Sequence, residues 1–307
     1  MSNFIENTQL TPVKGYDTKR IIFSDPVSGV IPESKPKIEF KRINITTRNE
    51  DGSVGELVFP TTRLFSFGVS ENRSQETGKV NGYTFPLCLW QRDGASEEEK
   101  EWTDTFDRVV DTCVDWLVSN KEEIDQFDLS KSDLIKAKGG LNPLYWKKEK
   151  YTAENGKSSM RVVPGTGPTL YTKLIYSKKH DKFLSQFFDQ NGEPTDPLTL
   201  MNKYCYTKAA IKIESIFIGN KISLQVKLYE AVIEPTSNGM RRLLESNERP
   251  MSRSKVINSE NDNVKPLSLD MNGDDDDTGS IFDEDEKKEE VAPATARKVK
   301  RVVRKAT

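Results

Sequence analysis

Histidine is almost missing from this 307-residue sequence, which contains one, and cysteine occurs only three times. His180 lies in the charged run SKKHDK and is expected to be a solvated loop residue rather than a catalytic base. Cys88, Cys113 and Cys205 lack the close pairing that zinc sites need. Without a metal-ligand set or a partnered histidine, we expect no enzymatic activity, no metal and no cofactor.

Long apolar runs are also missing. No stretch approaches the roughly 20 apolar residues that span a bilayer, so no membrane partner is expected. The first residues, MSNFIENTQLTPVKGYD, show no basic region followed by an apolar stretch and hence no secretory signal. Three scattered cysteines fit a reducing compartment. These features predict an intracellular protein.

Composition divides the chain into three parts. Residues 1–35 are rich in proline, glycine and serine and are expected to form a loosely ordered N-terminal arm. Residues 36–235 carry the periodic apolar pattern of one folded domain. Residues 236–307 are highly charged and poor in aromatic residues, so burial cannot offset the entropy of ordering them. We expect a disordered tail with an acidic segment at 260–290 and a basic segment at 291–307.

The first half of the domain predicts strands. Apolar and polar residues alternate in KIEFKRINIT (37–46), GELVFP (55–60), RLFSFGV (63–69) and YTFPLCLW (83–90). Pro86 interrupts the last run. Because proline cannot donate to a strand ladder, it predicts an edge strand or a bulge there.

The period changes at Ser96, which forms a capping-box pattern with Glu99. Apolar residues then recur at three- and four-residue spacing, which is typical of a helix of about six turns. The stripe consists of Trp102, Phe106, Val109, Cys113 and Trp116. Its aromatic members are assigned to the core. A second helix is predicted at 129–138, and strands resume at 142–152 and 169–177.

Two long alternating runs end the domain and meet at Gly219-Asn220, a pair that tolerates the positive φ of a tight hairpin. Strands, an inserted helix and further strands are the order of an OB barrel with its helix between the third and fourth strands. An α+β sheet with a helix on one face gives the same periodicity, so both architectures stay open here.

Residues 183–233 carry a family resemblance. Phe187, Phe188 and Asp189 are followed by the turn Asn191-Gly192-Glu193-Pro194, a short linker and the two long strands. This succession resembles the closing part of the OB-fold single-stranded DNA-binding proteins of short-tailed phages and their relatives in nucleo-cytoplasmic large DNA viruses. The resemblance implies a mainly β, OB-like antiparallel barrel with an inserted long helix.

The same resemblance implies a function. It indicates a non-enzymatic protein of a large DNA virus that coats and protects single-stranded DNA during replication, recombination and repair. Its place would be the host cytoplasm, in a viral factory, or the nucleus.

Basic residues alternate with aromatic residues between Leu141 and Lys182, where nine Lys and Arg outnumber three acids. A single strand offers phosphates to cations and unpaired bases to aromatic rings, and one such stack contributes about 1–3 kcal/mol. Trp146 and Tyr171 are the predicted stacking residues. The predicted phosphate contacts are Lys147, Lys148, Lys150, Lys173, Lys178 and Lys179, and the predicted extensions of the groove are Arg63, Trp90 and Arg92.

The acidic segment contains 13 acidic and 3 basic residues. In the phage proteins that the chain resembles, an acidic tail ends in an aromatic residue, whereas here Phe282 is internal and the basic segment follows. We expect this segment to compete with DNA for the groove and to bind a replicative polymerase or helicase. The predicted partner-binding residues are Asp274, Asp275, Asp276, Asp277, Phe282, Asp283, Glu284 and Asp285. The basic segment predicts a nuclear-import signal or an auxiliary phosphate contact.

Two other functions stay open on the sequence alone. A virion or scaffold protein would use the same sheet for protein–protein contacts and would not shift an oligonucleotide. A small-molecule-binding or enzymatic β-domain would have a deep polar pocket instead of an open basic groove.

Overall fold

The computed structural model describes residues 6–31, 37–74, 78–91, 94–135, 140–152, 158–177 and 180–236. Its strands are, in chain order, β1 (Gln9–Leu10), β2 (Ile21–Phe23), β3 (Val27–Val30), β4 (Glu39–Arg48), β5 (Val54–Pro60), β6 (Leu64–Ser66), β7 (Ser70–Arg73), β8 (Val80–Cys88), β9 (Leu144–Tyr145), β10 (Lys148–Thr152), β11 (Ser158–Val162), β12 (Thr169–Leu174), β13 (Tyr176–Ser177), β14 (Lys182–Phe183), β15 (Gln186–Phe188), β16 (Cys205–Ile218) and β17 (Ile222–Pro235). The helices are α1 (Glu97–Ser119) and α2 (Lys131–Ile135), with short 3₁₀ helices at Thr18–Arg20 and Pro197–Leu200. None of these helices is long and apolar enough to cross a bilayer.

Five strands close into a barrel in the ring order β6, β8, β12, β17, β16. Four contacts of the ring are antiparallel, and β12 and β17 close it side by side in parallel. The predicted mainly β, OB-like barrel with an inserted long helix is therefore confirmed. The helix position differs from the prediction, because α1 joins the second and third ring strands, β8 and β12.

The two long strands β16 and β17 form one wall of the barrel and meet at the predicted position, in a loop of residues 219–221. Neither Gly219 nor Asn220 has the positive φ that was predicted for this turn. Along its other edge, β16 pairs in succession with β6, β5 and β4, so β4 and β5 extend the sheet beyond the ring. Alternate residues of both strands fill the interior, among them Ile211, Ile213, Val226 and Leu228.

Helix α1 begins as predicted. The Ser96 side chain accepts a hydrogen bond from the Glu99 backbone, and the Glu99 carboxylate accepts one from the Ser96 backbone. Trp102 and Phe106 are buried and stack on each other with ring centroids 5.4 Å apart. Trp116 is half-buried and stacks on Phe23 at 4.9 Å. The core assignment of the apolar stripe is confirmed.

The loose N-terminal arm predicted for residues 1–35 is not found in residues 6–31. Strand β1 pairs with β5, while β2 and β3 pair with β4. Tyr16 is buried, packs edge-to-face on Phe59 at 5.1 Å and shares a 2.8 Å hydrogen bond with Thr47. The apolar run Ile21–Phe23 gives this segment enough buried surface to order it. The domain boundaries at 36 and 235 stay predictions, and the predicted tail from residue 237 onward lies outside the described residues.

Strand β8 is not the edge strand that Pro86 predicts. It lies between β12 on one side and β6 and β7 on the other. Strand β6 pairs with Leu87 and Cys88, and β7 pairs with residues from Val80 to Thr84, so Pro86 falls between the two pairings. The missing N–H of proline is tolerated there because the neighbouring strand is interrupted.

The Phe187-Phe188-Asp189 motif has a structural role. Phe187 is buried and packs edge-to-face on Phe85 at 5.4 Å. The Asp189 side chain accepts hydrogen bonds from the backbone N–H groups of Glu193 (2.9 Å) and Asn191 (2.8 Å), which lower the pKa of its carboxyl. The motif thus turns the chain after β15, which pairs with β17 in parallel.

Candidate nucleic-acid interface

A row of side chains crosses the outer face of the barrel. Tyr206 on β16 is opposite Phe65 on β6, and Phe65 is opposite Cys88 on β8. Cys88 is opposite Thr169 on β12, which is opposite Tyr145 on β9. Directly opposed residues point to the same face of a sheet, and five strands about 4.8 Å apart give a length of about 19 Å. We call these five residues the aromatic row.

The aromatic row faces away from the core. The residues that alternate with it on the same strands, Leu64, Leu87, Leu170 and Leu144, are buried inside. By contrast, Tyr145 is 44% exposed, and the other four members are half-buried. Its aromatic side chains are therefore accessible from outside the barrel.

Further rings widen the row at both ends. Phe67 lies 5.4 Å and Tyr204 5.6 Å from the Phe65 ring, and each is 41% exposed. At the other end, Tyr171 lies 6.3 Å from Tyr145. Gly68 has a φ of +84°, and a Cβ there would collide with the backbone of Lys203, so a glycine is needed to bring Phe67 beside Tyr204.

Arg63 positions one end of the row. Its guanidinium carbon lies 3.6 Å from the centroid of the Tyr206 ring and its nitrogens donate two hydrogen bonds to Glu234, at 2.7 and 2.8 Å. These hydrogen bonds raise the pKa of Arg63 and lower the pKa of the Glu234 carboxyl. Arg63 therefore lies over the Tyr206 ring, and its predicted contact with DNA stays a prediction.

Strands β10 and β11 form a two-stranded arm that leaves the barrel just after Tyr145. The predicted single strand at 142–152 is thus two strands, interrupted at Trp146 and Lys147. On the arm, Lys148 is opposite Val162 and Lys150 is opposite Met160, and all four are exposed. Lys147, at the root of the arm, is exposed too. The arm therefore presents lysines next to the Tyr145 end of the aromatic row.

Trp146 and Trp90 pack against each other and against the core. Their ring centroids are 5.2 Å apart, and Trp90 Nε1 donates to Thr103 Oγ1 of α1 at 2.9 Å. A Cβ on Gly167 would overlap the Trp90 ring, so this glycine closes the packing. The two tryptophans brace the root of the arm against α1, while their predicted contact with bases stays a prediction.

The structure brings Tyr171, Lys173, Arg63 and the lysines of the arm to the outer face or its border. Lys173 shares a strand face with Tyr171, is half-buried and donates to Gln225 Oε1 at 3.3 Å. Three predicted phosphate-contact or groove residues, Arg92, Lys178 and Lys179, lie outside the described residues. The predicted partner-binding residues of the tail, between Asp274 and Asp285, also lie outside them.

Sequence reasoning missed Phe65, Phe67, Tyr204 and Tyr206. The signal was present in the sequence. Phe65 and Phe67 are two residues apart, as are Tyr204 and Tyr206, and this is the spacing of residues on one face of a strand. Arg63, Lys203 and Lys208 flank these pairs and repeat the mixture of basic and aromatic residues seen between 141 and 182.

Residues 15–277 match a family described as "Protein of unknown function (DUF2738)". The chain belongs to the DUF2738 family. Two viral proteins are similar to this DUF2738 protein. The "Uncharacterized protein 007R" of Invertebrate iridescent virus 3 is 28% identical over 256 residues, which are 81% of this chain and 51% of that relative. The "Early 31 kDa protein" of Frog virus 3 is 24% identical over 203 residues, 66% of this chain and 72% of that relative.

The DUF2738 chain therefore spans about half the length of the iridescent virus relative. Among solved structures, the single-stranded DNA-binding protein gp2.5 of bacteriophage T7 is similar with a TM-score of 0.34 and 10% identity. That match covers 64% of this chain and 100% of the phage protein. At so low a TM-score, the likeness supports no conclusion about the DUF2738 protein.

Proposed function

We propose that this protein binds single-stranded DNA along the aromatic row. The observation that carries the proposal is the row itself, in which rings from β16, β6 and β9 lie on one accessible face of an OB-like barrel. Unpaired bases stack on such rings whatever their sequence, whereas the bases of a duplex already stack on each other. The geometry thus favours single strands over duplex.

Cations border the row where the backbone of a stacked strand would run. Lys173 lies two residues from Tyr171 on β12, and Lys208 lies two residues from Tyr206 on β16 and is exposed. Lys148 and Lys150 of the arm border the opposite end. Each phosphate contact releases bound counterions, so these lysines should make binding dependent on salt.

A role in viral replication, recombination and repair, in a cytoplasmic factory or the nucleus, belongs to the same proposal. So does binding of a polymerase or helicase through the acidic segment. The support is the match to two viral proteins and the charge of the segment itself.

The experiment that tests the function is a titration of labelled oligo(dT), compared with a duplex of equal length at several salt concentrations. We expect tighter binding of oligo(dT), with the logarithm of the association constant falling by about 0.7 per contacted phosphate for each tenfold rise in salt. Equal or tighter binding of the duplex would contradict the proposal.

Deleting residues 260–290 should tighten oligonucleotide binding at low salt. The net charge of −10 in this segment resembles a run of phosphates, and its covalent attachment gives it a high local concentration near the lysines. The difference from the full chain should shrink as salt screens the charges. A full-length variant in which the Asp and Glu residues of 260–290 are replaced by Asn and Gln controls for chain length, and it should bind as tightly as the deletion. Identical affinities at low salt would exclude the competition.

A further inference from the structure

The arm formed by β10 and β11 has two different faces. On one face, Arg161 Nε donates a hydrogen bond to Glu149 at 2.8 Å, and the Arg161 guanidinium carbon lies 5.1 Å from the centroid of the Tyr151 ring. On the other face, Met160 is 52% and Val162 40% exposed. The first face is thus held together by contacts within the arm, whereas the second presents two apolar side chains to solvent.

The arm extends past the border of the sheet. It begins just beyond β9, which pairs only with β12 among the described strands. Every described residue of β10 and β11 is exposed except Glu149, which is half-buried. A two-stranded ribbon that packs on nothing else is marginally stable in water. Met160 and Val162 are therefore placed to contact a molecule beside the barrel rather than the barrel itself.

A second exposed apolar site marks the opposite end of the aromatic row. There the rings of Phe67 and Tyr204 lie 5.9 Å apart, and each side chain is 41% exposed. Both rings also contact Phe65, so they adjoin the Tyr206 end of the row. The arm adjoins its Tyr145 end. One molecule therefore carries two exposed apolar sites, one at each end of the row.

The direction of a DNA strand determines how two copies meet on it. Because the two directions along a strand are chemically different, copies that bind it through the same row have the same orientation. The Tyr145 end of one copy then faces the Tyr206 end of the next, which is a head-to-tail arrangement. Adjacent copies therefore bring the arm of one beside Phe67 and Tyr204 of the other, so a second copy of this chain is the partner that fits both apolar sites.

We propose that Met160 and Val162 of the arm dock on Phe67 and Tyr204 of the next copy along the strand. The proposal rests on the proposed function. Methionine sulfur packs favourably on aromatic rings, and methionine and aromatic residues are enriched at the centres of protein interfaces. The lysines of β10 remain beside the DNA where it crosses from one copy to the next. Because a head-to-tail contact leaves a free site at each end, copies add along the strand and bind it cooperatively.

Two oligonucleotides test the contact: an oligo(dT) that holds one copy, chosen from a length series by its stoichiometry, and one of twice that length. Native mass spectrometry counts the copies on each strand. After statistical correction, the second wild-type copy should bind the longer strand about tenfold more tightly than the first. The double variant Met160→Ser, Val162→Ser should lose this gain and still bind the shorter strand like the wild type. Ile135→Ser removes an exposed apolar side chain on α2 and should keep the gain.

A crosslink locates the contact. In Met160→Cys, a short reagent that joins a thiol to an amine should link residue 160 to Lys203, the exposed neighbour of Tyr204. We expect this link on the longer oligo(dT) and not on the shorter one. The same link on the shorter strand would place the arm on its own row and overturn the inference.

The outcomes separate this contact from the proposed function. Failure of the wild type to bind the shorter oligo(dT) overturns both. Binding of the shorter strand with no gain on the longer one, or a double variant that keeps the gain, overturns this inference alone. So does a double variant with weaker binding of the shorter strand, because Met160 and Val162 would then act on the DNA instead of on a neighbouring copy.

Discussion

Replacing Tyr171 by alanine is expected to weaken oligo(dT) binding by about 1–3 kcal/mol, and Tyr145→Ala by a similar amount, because each removes a ring on which a base stacks. The two rings are 6.3 Å apart, so the double variant should lose less than the sum of the single losses. Fluorescence anisotropy with a labelled oligonucleotide measures these changes.

Matched variants separate stacking from general damage. Tyr171→Phe keeps the ring and should bind within a few tenths of a kcal/mol of the wild type. Phe127→Ala removes an exposed ring in the turn after α1, away from the row, and should have no effect. Trp146→Ala tests the other predicted stacking residue. Unchanged affinity of folded Tyr145→Ala and Tyr171→Ala would show that bases do not stack at the Tyr145 end of the row.

Phe106→Ala should lower the free energy of unfolding by about 3–5 kcal/mol. The Phe106 side chain is fully buried, and its ring stacks on Trp102, whose Nε1 donates to the Pro60 carbonyl of β5 at 3.0 Å. Removing the ring leaves a cavity where α1 packs on the barrel. Urea denaturation followed by circular dichroism measures the loss.

The same exposed ring controls this experiment. Phe127→Ala should change stability by less than about 0.5 kcal/mol, since surface substitutions rarely do more. A Phe106→Ala protein as stable as the wild type would mean that α1 does not pack on the barrel through this residue.

The helix and the closing hairpin could be predicted because their signals are local. A capping box at Ser96 and Glu99 and a stripe at helical spacing specify α1 without reference to the rest of the chain. Gly219-Asn220 likewise marks where the closing hairpin turns, although not through the positive φ that was predicted there. Which strands neighbour one another was not predictable in this way. The parallel contact of β12 with β17 joins residues more than fifty positions apart.

The interface shows the same limit. Tyr171 and Lys173 were predicted because aromatic and basic residues alternate within one run of the sequence. The aromatic row joins β6 to β9 and β16, so Phe65 and Tyr206 become neighbours only when the barrel closes. Alternation also could not show that Trp146 faces the core while Tyr145 faces outward, because the pairing of β9 with β12 decides this.

Cys88 offers the most direct measurement of whether a strand lies on the aromatic row, because it is half-buried at the centre of the row while Cys113 and Cys205 are buried. Burial raises the pKa of Cys88 and thereby slows its alkylation, which mass spectrometry follows. We expect saturating oligo(dT) to slow alkylation of Cys88 in the full chain, and a duplex of equal length to leave the rate unchanged. An alkylation rate that oligo(dT) does not alter, under conditions where it is bound, would contradict the account.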